Sequence, residues 1–204
     1  MVLASSSPAR LTVLRAAGLR PEVMVPDVDE DAVVAASTPG SPGARARLLA
    51  EHKSAAVLPR VGPVAGPTVV IGCDSVLELD GEAYGKPLGA TEAVRRWRSM
   101  RGRSGVLHTG HSLRLVEPGG ESRHTSALAS TRVHFADLSD NEIDAYVATG
   151  EPLGVAGAFT LDGLGGAYVR GVDGDPHAVV GISLPLLREM LGENGVVWHH
   201  LWRP

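Results

Sequence analysis

Cysteine, basic charge and long apolar runs are what this chain has little of. One residue in 204 is a cysteine, Cys73, so no internal disulfide can form. The formal net charge is -4, whereas binders of long nucleic acids carry a basic excess. A nucleic-acid polymer is therefore not the expected partner, although a small phosphorylated ligand held by a few local cations fits. Charges, glycines and prolines interrupt every apolar run before it could span a bilayer, so no membrane partner is expected. Met1 to Ser5 lacks the basic start and apolar run of a signal peptide, which makes the cytoplasm the expected location. No Walker A loop occurs, which excludes a P-loop mechanism. Internal repeats and low-complexity tracts are also lacking.

What is present is an apolar fraction of 44%, enough for a sizeable core, and a length suited to one domain over 1–204. Val2 to Ala4 reads as a short strand, and Ser7-Pro8 as the cap and first position of a helix that Gly18 closes. Ser41-Pro42 repeats that signal for a helix ending near Pro59. Val69-Val70-Ile71 is a β-branched strand, and Asp80-Gly81 sits at a hairpin between Val76–Leu79 and Ala83-Tyr84. Thr91 reads as the cap of a further helix. Val106 to Phe135 is β in pattern, broken at Pro118-Gly119-Gly120. Ser139 to Glu142 spells a capping box. Ala167–Val169 and Ala178–Val180 read as strands around Asp173-Gly174, and Ser183 caps a last helix through Met190. The tail from Val196, with Trp198 and Trp202, reads as packing material. Helices alternate irregularly with strands and hairpins, which predicts an α/β fold on a mixed sheet.

Several residue groups carry possible chemistry, and each also has a plain structural account. The Ser5-Ser6-Ser7 turn opens a helix whose free N–H groups favour an anion, with Arg10 near enough to turn its guanidinium onto it. It serves equally as an ordinary cap. Asp27, Asp29, Glu30 and Asp31 crowd negative charge that a hard cation would relieve, or that water solvates. Asp74, in Gly72-Cys73-Asp74-Ser75 at the end of a strand, suits a general base or a turn. Lys53 and Lys86 suit phosphate charge or the surface. Cys73 has no histidine nearby in sequence and reads as buried packing. His108 and His111, three apart in a strand, point to opposite faces and do not make a metal pair. Gly163-Leu164-Gly165-Gly166 lacks the spacing of a dinucleotide fingerprint and reads as close backbone approach around a flat base.

The order of these signals resembles the Maf family. Leu3 to Arg10 is similar to its opening Leu-Ala-Ser-x-Ser-Pro-Arg-Arg, and Val28-Asp29-Glu30 to its acidic motif. Ala50 to Ala55 resembles its lysine-bearing helix, Val70 to Val76 its Ile-Gly-Ala-Asp-Thr-Val strand, and Gly85-Lys86-Pro87 its Gly-Lys-Pro. Met100 to Arg103, Ala145 to Pro152, Ala156 to Phe159, Asp173 to Asp175 and Val180 to Ile182 continue the likeness along nearly the whole chain. Trp97 to Met100 and Phe159 to Gly166 resemble the actinobacterial branch. Ala9 stands where many members have a second arginine, Gly154-Val155 where many have Asp-Lys, and Asp162 where many have glutamine.

The resemblance implies two lobes around a central cleft in an inosine-triphosphatase-like fold, a homodimer, and Mg²⁺ or Mn²⁺ as cofactor. It implies a nucleoside triphosphate pyrophosphatase that releases a monophosphate and pyrophosphate, from ordinary or modified nucleotides. Asp74 would be the general base. Glu30, Lys53 and Lys86 would share the catalytic work, with Glu30 and Asp74 on the metal. Ser5, Ser7, Arg10, Ser75 and Asp162 would contact the substrate. The competing expectation is a non-catalytic nucleotide- or partner-binding regulator of cell division.

Overall fold

The computed structural model describes residues 1–203. Strand β1 (Val2–Ala4) leads into helix α1 (Pro8–Ala16), whose first turn is capped by the Ser7 hydroxyl accepting from the Arg10 amide. After β2 (Glu22–Val23) come α2 (Glu30–Ser37), capped by Asp29, and α3 (Pro42–Val61), capped by Ser41. Strands β3 (Thr68–Leu79) and β4 (Glu82–Tyr84) form the expected hairpin, with Asp80 and Gly81 both at positive φ. Helix α4 (Ala90–Met100) precedes the long pair β5 (Ser104–Val116) and β6 (Ser122–Phe135). Helix α5 (Asp140–Ala148) starts with the complete Ser139–Glu142 capping box. Short 3₁₀ turns lead to β7 (Val169–Asp173), α6 (Pro176–Val180) and α7 (Leu184–Glu193), the last capped by Ser183. Among the described residues no helix is long and apolar enough to cross a membrane.

The strands form one mixed sheet ordered β2-β1-β3-β5-β6-β7, with β4 beside β3. β1 runs parallel to β2 and β3; the remaining pairs are antiparallel. Side chains alternate between its faces. On one face β3 and β5 carry two separate apolar groups. Ile71, Cys73, Leu113 and Leu115 pack with Leu3, Leu14, Leu187 and Met190. Leu77, Leu107, Val133 and Phe135 pack with Trp97, Ile143 and Tyr146. Between them Ser75, Thr109, His111 and Thr131 form a polar belt. Thr109 links the Ser75 hydroxyl (2.9 Å) to the Ala178 carbonyl (2.8 Å), and His111 Nε2 accepts from the Ser183 amide (2.8 Å). Two lobes thus share one sheet.

The opposite face carries α3, seated where the sheet has no side chains. A Cβ at Gly72 would strike the Ala50 carbonyl and the Ser54 amide; one at Gly110 would strike the Ala46 carbonyl and the Arg47 backbone. Gly72 lies opposite Ser112 and Gly110 opposite Asp74 across β3 and β5, so the glycines form a diagonal seat for the helix.

Four expectations change. Val69–Ile71 and Val76–Leu79 are one continuous strand, so Asp74 lies mid-strand and not at a strand end. Ala178–Val180 belongs to a helix, because Asp175 caps it and Pro176 opens it; a short apolar run fits either state. Ala167 and Tyr168 close a 3₁₀ turn, and the strand starts at Val169. Gly89, not Thr91, is the cap position of α4. The tail does pack: Val196, Trp198 and Leu201 lie against the first apolar group, and the Trp202 ring meets Gly18.

Gly110→Ala forces α3 off the sheet and lowers unfolding stability by about 1–3 kcal/mol in urea titration. Gly119→Ala, with open space around it, changes stability by less than about 0.5 kcal/mol. His111 is 1% exposed, and burial pulls its pKa down to about 4. The unfolded chain binds this proton near pH 6.5 and the folded one does not, so His111 removes stability as pH falls from 6.5 towards 4. The contribution is about 2 kcal/mol between pH 7 and pH 5. Denaturation at both pH values checks this, and His111→Gln should flatten the dependence.

Candidate active site

β1 stops at Ala4, paired with Gly72, while β3 runs on to Leu79. The step beside β3 is filled by the Ser5–Ser7 turn and the start of α1. At such an edge of parallel strands, side chains from several elements can meet over open space.

The alternation of β3 sends Asp74 and Ser75 to opposite faces. Asp74 shares the face of Gly72 and meets α3. The close seat of α3 brings Lys53 Nζ to 2.5 Å from Asp74 Oδ1. Glu30, first residue of α2, reaches the same ammonium at 2.7 Å. Lys53 and Asp74 are 11% and 13% exposed, whereas Glu30 is 46% exposed, so its share of the attraction is the more screened by water. Among the described residues Asp74 Oδ2 makes no protein hydrogen bond. One carboxylate oxygen is thus fixed by an ammonium and the other is available to a water.

On the other face Arg10 spends its guanidinium within the protein. Nε donates to the Gly181 carbonyl at 2.8 Å, Nη1 to Ser5 Oγ at 3.1 Å and Nη2 to Ser75 Oγ at 3.1 Å. The expected free fork is a brace joining α1, β3 and the end of α6. Ser5 is buried and also accepts from the Ser7 amide. Of the expected site residues, the structure brings together Glu30, Lys53 and Asp74 as one group, and Ser5, Ser7, Arg10 and Ser75 as another beside it. Lys86 and Asp162 are exposed and form no ion pair among the described residues.

Glu30 and Asp74 are two carboxylates around one cation. That donor set fits a hard divalent ion, which takes one or two carboxylates and completes its shell with phosphate oxygens and water. Among the described residues no three histidine, cysteine or acidic side chains gather as an all-protein ligand set. Cys73 is fully buried, and burial pushes its thiol up to about 11, so it is not a nucleophile.

The glycine segment encloses the protein's own groups. Glu151 accepts from Tyr146 (3.0 Å), from Thr160 (2.5 Å), and from the Leu164 and Gly165 amides (2.9 Å each). Burial raises its pKa, but these four donors outweigh that and hold it below the ordinary carboxylate range. A Cβ at Gly165 would strike Tyr146, so the close approach is to this network and not to an open slot for a base. Sequence reading missed this network and the polar belt, because Thr109, Thr131 and Thr160 look like ordinary strand and loop residues.

A family model described as "Maf: Maf-like protein" matches residues 1–194. The nucleoside triphosphate pyrophosphatase of Salinispora tropica is 54% identical over 99% of this chain and 87% of its own length. The protein of that name from Streptomyces coelicolor is 53% identical over 100% and 95%, and that from Nocardia farcinica 52% over 100% and 96%. A crystal structure of a nucleoside-triphosphatase / dITP/XTP pyrophosphatase from Mycobacterium abscessus covers 95% of this chain and 93% of its own, with a TM-score of only 0.34 and 14% identity. Sequence likeness of this extent, over all of the site residues, makes the chain a member of the Maf family.

Proposed function

We propose that this protein is a nucleoside triphosphate pyrophosphatase, hydrolysing the α–β phosphoanhydride to a nucleoside monophosphate and pyrophosphate. The observation that carries the reading is the Lys53 ammonium between Glu30 and Asp74, next to the serine turn at the start of α1. The full-length relatives of that name, about half identical to it, support the same reaction class.

In this mechanism Asp74 Oδ2 accepts a proton from a water molecule as the water oxygen bonds to the α-phosphorus. The bond from that phosphorus to the bridging oxygen breaks, and the electron pair leaves with pyrophosphate. Lys53 bonds Asp74 Oδ1 and so keeps the carboxylate in one orientation, which a general base requires. The Ala9 amide, the one N–H in the first turn of α1 that Ser7 does not already engage, and the Ser7 hydroxyl favour the negative phosphate chain. Lys86 meets the leaving phosphates from the second lobe, offsetting charge that grows as the bond breaks. Glu30 and Asp74 would hold Mg²⁺ or Mn²⁺, which would neutralise phosphate charge at the reacting centre.

The test is a panel of ordinary and modified triphosphates with Mg²⁺, scored for pyrophosphate and for orthophosphate. Pyrophosphate with the matching monophosphate is expected; orthophosphate alone, or binding without turnover for every base, contradicts the reading. Asp74→Asn should lose about 10²–10⁴-fold in kcat while its circular dichroism stays that of the parent. Full activity in that variant removes the proposed base. EDTA should abolish turnover and Mg²⁺ restore it; turnover that persists in EDTA contradicts the metal role.

A further inference from the structure

Lys86 is carried by an exposed loop, yet side chains of α4 hydrogen-bond the backbone of that loop at Gly85, Lys86 and Leu88. Arg96, buried on α4, donates from Nη1 to the Gly85 carbonyl at 2.5 Å and from Nη2 to the Lys86 carbonyl at 3.5 Å. It also donates from Nε and Nη2 to Glu92 Oε1, at 2.9 and 2.5 Å. The second oxygen of Glu92 accepts from the Leu88 amide at 2.6 Å. The Gly157 amide reaches the Gly85 carbonyl at 3.1 Å, and the Arg96 guanidinium lies over the Tyr84 ring, 5.2 Å from its centre.

Pro87 is buried and packs the loop from one side, whereas the Lys86 and Leu88 side chains on either side of it are exposed, Leu88 to 99%. The hydrogen bonds from α4 go to the backbone at these exposed positions and not to Pro87. Glu92 stands at the third position of α4, where a glutamate ordinarily reaches back to the cap residue; here it reaches past Gly89, which has no capping side chain, to Leu88. A surface Glu–Arg pair four apart stabilises a helix only slightly. This pair is buried at the arginine end and directs its remaining hydrogen bonds to the backbone on both sides of Lys86.

We propose that Glu92 and Arg96 are positioning residues that fix the Lys86 backbone and so aim its ammonium at the phosphates of the nucleotide. The inference rests on the pyrophosphatase reading above. Neither residue touches substrate; both act through Lys86. A cation whose backbone is already fixed costs less to order on binding, so loosening the clamp should be visible in the dissociation constant.

The test is a double-mutant cycle on the dissociation constant for an α,β-methylene analogue of a triphosphate that the panel shows to be cleaved. Calorimetry needs no turnover, so weak variants remain measurable. Glu92→Gln is the first variant, with the side chain still in place; Arg96→Lys, keeping charge but losing the planar fork, is the second. Each should weaken binding about tenfold when Lys86 is present, and less than about twofold in a Lys86→Met background. A general structural role predicts the same loss in both backgrounds and would overturn the proposal. So would Lys86→Met binding as well as the parent, since the clamp would then aim a residue with no grip. Failure of the pyrophosphatase reading is separate and is seen earlier, as a panel in which no triphosphate yields pyrophosphate. Melting curves on each variant confirm that the folded protein is being compared.

Discussion

The helix that carries Lys53 lies so near the sheet that Gly72 and Gly110 have no room for a methyl group beneath it. This backbone-to-backbone seat sets the height of α3 above β3, and that height sets the distance from Lys53 to Asp74. A helix resting on ordinary side chains would stand farther off, near the usual separation of packed layers. The ammonium would then lie beyond hydrogen-bond reach of the carboxylate. Glu30 depends on the same seat: α2 has no buried residue of its own and meets the rest of the protein chiefly through α3.

On the other face, the two apolar groups would merge into one core were it not for the belt of Ser75, Thr109, His111 and Thr131. Arg10 ties this belt to α1 and to the end of α6 through three separate partners. Asp74 and Ser75, neighbours in the chain, therefore serve two different networks. The first holds the Asp74 carboxylate against Lys53 and the second holds the serine turn beside it. The same division appears around Lys86, whose side chain is free while its backbone is gripped by α4.

Much of this was legible in the chain, because local signals and tertiary structure agree there. Ser7, Ser41, Ser139 and Ser183 all cap the helices they appear to cap, and Asp80-Gly81 turns the hairpin it appears to turn. Glu30, Lys53 and Asp74 lie far apart in sequence and meet in space as the family likeness implies. Other features were hidden for physical reasons. Gly72 to Ser75 has the composition of a turn, but the glycine is there for α3 and the strand continues through it. Helix α2 was masked by its acidic first turn, which reads as a charged loop although Asp29 caps it and its negative charge suits a helix start. Arg10 has the makings of a free anion grip, and nothing in its local sequence shows that Gly181 lies across from it. The Glu92–Arg96 pair has ordinary helical spacing, and its role emerges only from the loop it faces.

The central claim is that the carboxylate held by Lys53 directs water at the α-phosphorus. Turnover in water enriched in ¹⁸O, followed by mass spectrometry of both products, tests it most directly. The account predicts one heavy oxygen in the nucleoside monophosphate and none in pyrophosphate. Heavy oxygen in pyrophosphate, or in orthophosphate released from the end of the chain, would contradict it.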